Sequence, residues 1–284
     1  MTTIFIDAND NAVTKKDITD AIKKVGANNC KYLFMHSDIS FGKPAPGMTR
    51  RKIFSEVYDA IASAIGNTQL IVPTFSYSFC NGEDYDVEKS KTSMGALNEY
   101  IRRLSNRYRT NDPLLSVSVP NELRECFDKE CANSLGECSA LDPIHKLKDV
   151  KFLFFGVRMG AGFTYLHYIE KMLDVPYRYD QVFTGNIINA DTKYSKTQSI
   201  HTACYGVKPA EFFYFEEELE NKGLLKKVPL GNLEVSCVSE KDVYKEIVDR
   251  ITNNVNYFLE KPFEESDLIH KYTMGEDGKR ITHC

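Results

Sequence analysis

Three short apolar runs constrain this chain more than any other feature. Lys31-Tyr-Leu-Phe-Met35, Gln69-Leu-Ile-Val-Pro73 and Lys151-Phe-Leu-Phe-Phe-Gly-Val157 are too short for buried helices, and beyond their first residue they carry almost no polar side chain. Strands of that kind are buried on both faces, which happens where helices cover both sides of a sheet. Between the first two runs lies Met48 to Ile65, with Ile53, Val57, Ile61 and Ile65 recurring at helical spacing. Strand, helix and strand in that order make a βαβ unit with a right-handed crossover and a parallel strand pair. The fold class is therefore α/β.

The remaining elements fit that class. Thr14 and Asp17 stand at capping-box distance, ahead of Ile18, Ala21, Ile22 and Val25, and Gly26 ends that helix. Thr92 to Arg102 reads as a helix start capped by a hydroxyl, with Gly95 allowing close approach. Arg109 to Pro113 is a turn. Leu114 to Val119 alternates as a strand does, with Ser116 and Ser118 on one face, and Ser139 to Leu147 forms a loop and short helix. Two later helices span Pro209 to Asn221 and Glu240 to Leu259. The acidic stretch Asn81 to Lys91 reads as irregular, the chain beyond Pro176 as less regular, and the tail from Ser266, with its Gly275-Glu-Asp-Gly278 turn, as loosely held. No repeat or low-complexity linker divides the 284 residues, so residues 1–284 are expected to form a single domain.

Charge and cysteine usage exclude several function classes. The net charge is −4 and the basic residues are scattered, which argues against nucleic acid or an anionic membrane as partner. The N-terminus lacks the pattern of an export signal and no stretch has the length of a membrane span, so a cytoplasmic protein is expected. The eight cysteines are dispersed and are expected as reduced thiols. Cys126, Cys131, Cys138 and His145 come nearest to a cluster, but without the paired close ligands of a zinc site, so no metal is expected. Lys43-Pro44 belongs to no phosphate-wrapping Gly-x-x-x-x-Gly-Lys motif. The amides opening the next helix, with Lys43, Arg50 or Arg51, offer a place for a pyrophosphate; otherwise these cations face water.

The chemistry-bearing stretch follows the third apolar run. Gly160-Ala-Gly162 opens a helix from Thr164 that sets His167 and Glu170 on one face. Two polar strand-end loops lie upstream, His36 to Gly42 and Thr74-Phe75-Ser76-Tyr77. Open α/β sheets hold ligands at such strand ends, and an imidazole beside a carboxylate is suited to general-base work.

Taken in order, five motifs resemble the antibiotic N-acetyltransferase family, whose founding members are the aminoglycoside 3-N-acetyltransferases. They are His36 to Gly42, Pro73 to Tyr77, Thr92 to Leu97 with Glu99, Ser139 to Leu147, and Thr164 to Glu170. The resemblance implies a three-layer α/β/α fold with a central mixed sheet. It further implies a coenzyme A thioester as acyl donor and direct transfer to an amine of a sugar-like small molecule. By the same match His167 is the general base and Glu170 its partner, while Ser37, Ser40, Phe41, Ser93, Met94, Gly95 and Ser116 line the coenzyme groove. Thr74, Phe75, Tyr77 and Thr164 are the candidate acceptor contacts.

At Leu115 the sequence departs from the resistance enzymes, which usually have histidine there. The members that acylate nucleotide-linked amino sugars for surface polysaccharides look more similar at this point. The expected reaction is thus transfer of an acetyl or other short acyl group, such as 3-hydroxybutyryl, to such a sugar, with aminoglycoside acetylation as the alternative. A polycationic acceptor also calls for carboxylates, and Glu83, Asp84, Asp86 and Glu88 are the candidates. From other classes come a hydrolase with a Cys80 or serine nucleophile, although no Gly-x-Ser-x-Gly elbow exists, and a non-catalytic homologue. The aromatic-rich second half is a candidate interface for a homo-oligomer.

Overall fold

The computed structural model describes residues 2–269 together with Thr273–Met274 and Arg280–Ile281. The Gly275–Gly278 turn lies outside the described residues. In chain order the elements are β1 (Thr3–Ile6), β2 (Ala12–Thr14), α1 (Lys15–Lys24), β3 (Tyr32–Ser37), β4 (Lys43–Pro44), α2 (Arg50–Ile65) and β5 (Gln69–Pro73). There follow β6 (Tyr85–Asp86), α3 (Ala96–Arg102), β7 (Arg107–Arg109), β8 (Val117–Pro120), α4 (Arg124–Phe127), α5 (Asp142–Lys146), β9 (Val150–Phe155) and α6 (Tyr165–Met172). Then come β10 (Arg178–Asn189), β11 (Thr192–Ala203), α7 (Phe213–Asn221), β12 (Leu225–Leu230), β13 (Leu233–Ser239) and α8 (Glu240–Asn253), followed by the short α9 (Glu265–Leu268) and the strands β14 (Thr273–Met274) and β15 (Arg280–Ile281).

The central sheet has seven strands in the order β12-β13-β9-β3-β5-β8-β7. The three apolar runs form its parallel middle, β9-β3-β5, and the outer pairings are antiparallel, so the sheet is mixed. Because strand side chains alternate, each run serves two cores. Leu33, Met35, Leu153 and Phe155 point into the layer packed with α1, α2 and α3, through Ile22, Val57, Ile61 and Leu97. Phe34, Phe152 and Phe154 point into the opposite layer, with Tyr165 and Ile169 of α6 and Val243 and Ile247 of α8. This is the three-layer α/β/α arrangement, and it explains why the runs are apolar at consecutive positions.

Helix α1 starts as its local sequence demands. The Thr14 side chain accepts from the Asp17 amide, while Asp17 accepts from the Thr14 amide at 2.8 Å. Helix α3 does not follow the hydroxyl-cap expectation, because its N-cap is Gly95 at φ 92°, a conformation that suits glycine. Thr92 instead donates to Phe75 O and accepts from the Met94 amide.

Several expectations change. Strand β3 runs through His36 and Ser37, since the ladder to β9 continues to Ser37 opposite Phe155. The acidic stretch is not wholly irregular: Tyr85 is fully buried, donates to Thr110 O at 2.9 Å and pairs β6 with β10. Helix α7 begins only at Phe213, because Pro209 and Ala210 are extended against Phe258 and Leu259. Helix α8 stops at Asn253, where Asn254 turns extended, so Val255 and Phe258 lie beyond it. The less regular region is in fact the long β10–β11 hairpin, registered from Arg178 opposite Ala203 to Asn189 opposite Thr192. Hairpin β12–β13 turns at Gly231-Asn232, a signal present in the sequence between alternating apolar residues.

Among the described residues no helix is long and apolar enough to cross a membrane, no group of three or more His, Cys, Asp or Glu is arranged to hold a metal, and Cys30, Cys126, Cys131, Cys138 and Cys237 form no disulfide.

Candidate active site

Strands β3, β5 and β9 end together, and hydrogen bonds tie their carboxyl ends into one platform. Ser37 donates to Asn98 Oδ1 at 2.9 Å, and Asn98 donates to Pro73 O at 3.1 Å. Gly95 lies beside β3, where an added Cβ would stand at an ordinary contact distance of 3.5 Å from Ser37 O. Ser93 donates to Phe75 O at 3.0 Å through its side chain and at 2.8 Å through its amide. Asp38 N donates to Phe155 O, joining the ends of β3 and β9.

From β9 the chain passes through the Met159–Ala161 turn into α6. Gly160 lets this turn press against α7: a Cβ there would lie 2.6 Å from Phe213 Cδ1 and 2.7 Å from Phe213 N. Arg158 lies over the Phe213 ring at 4.1 Å, and buried Glu216 accepts from both Arg158 and the Gly160 amide. The start of α6 is thereby anchored from outside the helix. Its own N-cap, Thr164, is αR and makes no side-chain cap.

On α6 the Nδ1 of His167 lies 2.7 Å from Glu170 Oε2. The carboxylate is 1% exposed, whereas the imidazole side chain keeps 36% of its surface. Glu170 Oε1 accepts from Tyr177 at 2.7 Å, and Arg178 brings Nε within 2.8 Å of Oε2 and Nη2 within 2.8 Å of His167 Nδ1. Burial by itself raises the Glu170 pKa, but Arg178 and His167 overcome it and hold the carboxyl at about 2. Burial and then the charge of Arg178 lower the His167 pKa, with Glu170 opposing them. At neutral pH the arrangement is a carboxylate and a neutral imidazole. With Nδ1–H donating to Glu170, Nε2 carries the lone pair, and no described residue hydrogen-bonds to it.

A second imidazole–carboxylate pair faces α6 from the hairpin. His201 Nδ1 lies 2.8 Å from Asp180 Oδ1, and Lys171 reaches Asp180 Oδ2 at 2.7 Å. Tyr177, Arg178, Asp180 and His201 were not anticipated from the sequence. The first three lie a short turn beyond α6, but only the hairpin register puts Asp180 opposite His201.

A cavity of about 510 Å³ adjoins the platform on the α2 and α3 side. Its lining includes Arg50, Phe54, Ser93, Gly95 and Tyr100 together with Arg103, which is paired with Glu99 at 2.7 Å, so a carboxylate as well as cations stands beside the aromatic rings. Arg50 lies over the Phe54 ring at 5.5 Å. Of the three cations considered for a pyrophosphate, Arg50 is the one lining this cavity.

The sequence-predicted site residues divide into two groups. Ser37, Met94, Tyr77, Thr164 and His167 are partly accessible, and Ser40, Ser93 and Gly95 are exposed. Tyr77 is held at φ 54°, unusual for a bulky residue, and burial with nearby Cys80 pushes its hydroxyl up to about 12. Phe41, Thr74, Phe75 and Ser116, in contrast, are fully buried. Phe41 packs edge-on against Phe155 at 4.8 Å. Thr74 and Ser116 share a 3.1 Å hydrogen bond and both accept from Arg109, so they brace β5 against β8. Leu115 is also buried, so the departure there alters core packing and not an open surface. Asp84 is engaged by Lys193 at 2.7 Å and Asn186 at 2.9 Å, which removes it from a free acidic patch.

The fold and platform define a three-layer α/β/α protein with a histidine–carboxylate pair on the helix after β9, and comparison with known proteins narrows it. The sequence pattern of the aminoglycoside 3-N-acetyltransferase family matches residues 34–252, and the chain belongs to that family. Aminoglycoside N(3)-acetyltransferase III of Salmonella sp and that of Enterobacter cloacae are each 26% identical over 184 residues, covering 57% of this chain and 62% of theirs. The match therefore spans less than two thirds of those relatives. Among solved structures, the apoenzyme of aminoglycoside acetyltransferase AAC(3)-IVa superposes with TM-score 0.70 at 20% identity, covering 90% of this chain and 96% of that one. YokD of Bacillus subtilis gives TM-score 0.70 at 18% identity over 86% and 94%. At these identities the structural likeness speaks to the fold.

Proposed function

We propose that this protein is an acetyl-CoA-dependent N-acetyltransferase, that residues 1–284 act as one catalytic domain, and that its acceptor is an amine of an aminoglycoside. The observation that carries the reading is His167, partly accessible and braced at Nδ1 by a buried carboxylate on α6, the helix that follows β9. The amine nitrogen bonds to the thioester carbonyl carbon and the carbon–sulfur bond breaks. Nε2 of His167 takes the amine proton, and the departing thiolate receives a proton in return. Glu170 stabilises the imidazolium formed in between.

The cavity with Arg50, Phe54 and Tyr100 suits the phosphates and adenine of coenzyme A, and Ser93 and Gly95 line it, while Arg103 is already paired with Glu99. The aminoglycoside is favoured as acceptor by the relatives, which are named as aminoglycoside acetyltransferases, and by structural neighbours solved in complex with a gentamicin, apramycin and sisomicin. The nucleotide-linked sugar expected from Leu115 loses its main argument, because that side chain is buried.

The test is to incubate the purified protein with acetyl-CoA and gentamicin, apramycin, sisomicin or a nucleotide-linked amino sugar, following free thiol and product mass. Acetylated aminoglycoside supports the proposal. Thiol release without acceptor indicates hydrolysis, and acetylation of the nucleotide sugar alone would overturn the acceptor assignment.

A further inference from the structure

The group at His167 Nδ1 that sequence did not foresee is Arg178, whose position follows from the hairpin. Its backbone opens β10 opposite Ala203, and its Nη1 donates to His201 O at 3.3 Å across the hairpin. The side chain is thus fixed at 5% exposure under α6. It reaches two partners at once: Nη2 is 2.8 Å from His167 Nδ1 and Nε is 2.8 Å from Glu170 Oε2. The Nε contact is a charge contact only, since that N–H is not aligned as a hydrogen bond to any acceptor.

One nitrogen of His167 therefore faces an anion and a cation together. The ring can donate from Nδ1 to Glu170, or accept there from Arg178, but a single nitrogen cannot do both. The first choice leaves the Nε2 lone pair for the amine, and the second leaves a proton on Nε2. Either choice keeps one proton on the ring, whereas imidazolium would set a positive ring against the guanidinium.

We propose that Arg178 is a positioning residue that anchors Glu170 from the side opposite Tyr177 and keeps His167 singly protonated until the amine arrives. This rests on His167 being the general base. The charged and titratable neighbours are Glu170 and Lys171 on α6, Tyr177 in the turn, Arg178 and Asp180 on β10 and His201 on β11. Lys171, Asp180 and His201 neutralise one another in their own hydrogen-bonded group. Arg178 is left as the cation that contacts the ring.

The experiment compares Arg178→Met, which removes the charge and keeps the stem, with Arg178→Lys, which keeps the charge and loses the fork. His167 is titrated by imidazole proton NMR, assigned by loss of its signal in His167→Ala, and the kcat pH profile is recorded with acetyl-CoA and an accepted amine. In Arg178→Met the His167 titration and the acid limb of kcat both move to higher pH, while KM for acetyl-CoA changes less than twofold. In Arg178→Lys the titration stays near that of the parent and the kcat plateau falls several-fold. Should Arg178→Met not fold, Arg178→Gln takes its place and keeps a donor for Glu170. An unmoved titration in the uncharged variant would overturn the proposal. A moved titration with no acetyltransferase activity in any form would leave Arg178 as proposed in its action on the ring and reject the transferase reading instead.

Discussion

Glu170 and His167 divide one hydrogen bond between the inside and the outside of the protein. The carboxylate at one end is 1% exposed, the imidazole at the other retains 36%, and Nδ1 and Oε2 are 2.7 Å apart. The same geometry orients a base and leaves its far nitrogen open.

Replacing His167 by alanine removes the proton acceptor without disturbing the cavity beside α2 and α3. Turnover should fall by roughly a hundredfold or more, the range for a positioned general base. Acetyl-CoA binding by calorimetry should stay within about twofold. Near-parent turnover would reject the assigned role.

Glu170→Gln should cost stability as well as rate, because it leaves the buried Arg178 guanidinium without its counter-charge. Breaking a buried pair in this way costs about 3–5 kcal/mol. The sign of the pH effect follows from the carboxyl being held at about 2, below its ordinary 4.5. Its stabilising contribution is present above pH 4.5 and is lost as the pH falls toward 2. Urea unfolding along an acid series should show a flatter decline in the variant.

His36 sits at the end of β3, stacked on Phe154 at 5.4 Å and 7°, and its Nε2 is buried without a partner. Burial pushes its pKa from 6.5 down to about 4. The unfolded chain binds this proton more readily, so stability should rise with pH between about 4 and 6.5. His36→Phe keeps a ring against Phe154 and removes that slope. A parent and variant with parallel Tm-against-pH curves in this window would show that His36 contributes nothing to it.

Gly160→Ala tests how α6 is seated. The new Cβ would fall 2.7 Å from Phe213 N, so α7 or the turn must shift. Overpacking of this kind costs about 1–3 kcal/mol. Because the turn carries α6, kcat should fall more than the affinity for acetyl-CoA, and equal losses in both would argue against a local effect on the helix.

Arg50→Ala addresses the groove. If the coenzyme phosphates lie in the cavity of about 510 Å³, KM for acetyl-CoA should rise several-fold while KM for the amine is unchanged. The effect should shrink at high salt. An unaltered KM for acetyl-CoA would move the groove elsewhere.

What the sequence determined by itself is what local spacing controls. The three apolar runs became the parallel centre of the sheet because their central apolar positions are buried on one side or the other. Thr14 and Asp17 capped α1, and His167 and Glu170 met on one face of α6, because partners three residues apart need only a helix to meet. The tertiary structure decided what depends on distant chain. Hairpin β10–β11 escaped notice since its strands are half-exposed and lack clean alternation, and its register placed Asp180 beside His201 and Arg178 under His167. Burial, too, was decided only by packing. It enclosed Phe41, Thr74, Phe75 and Ser116 completely, and together with the Arg178 guanidinium it lowers the His167 pKa in an otherwise ordinary helical His–Glu pair.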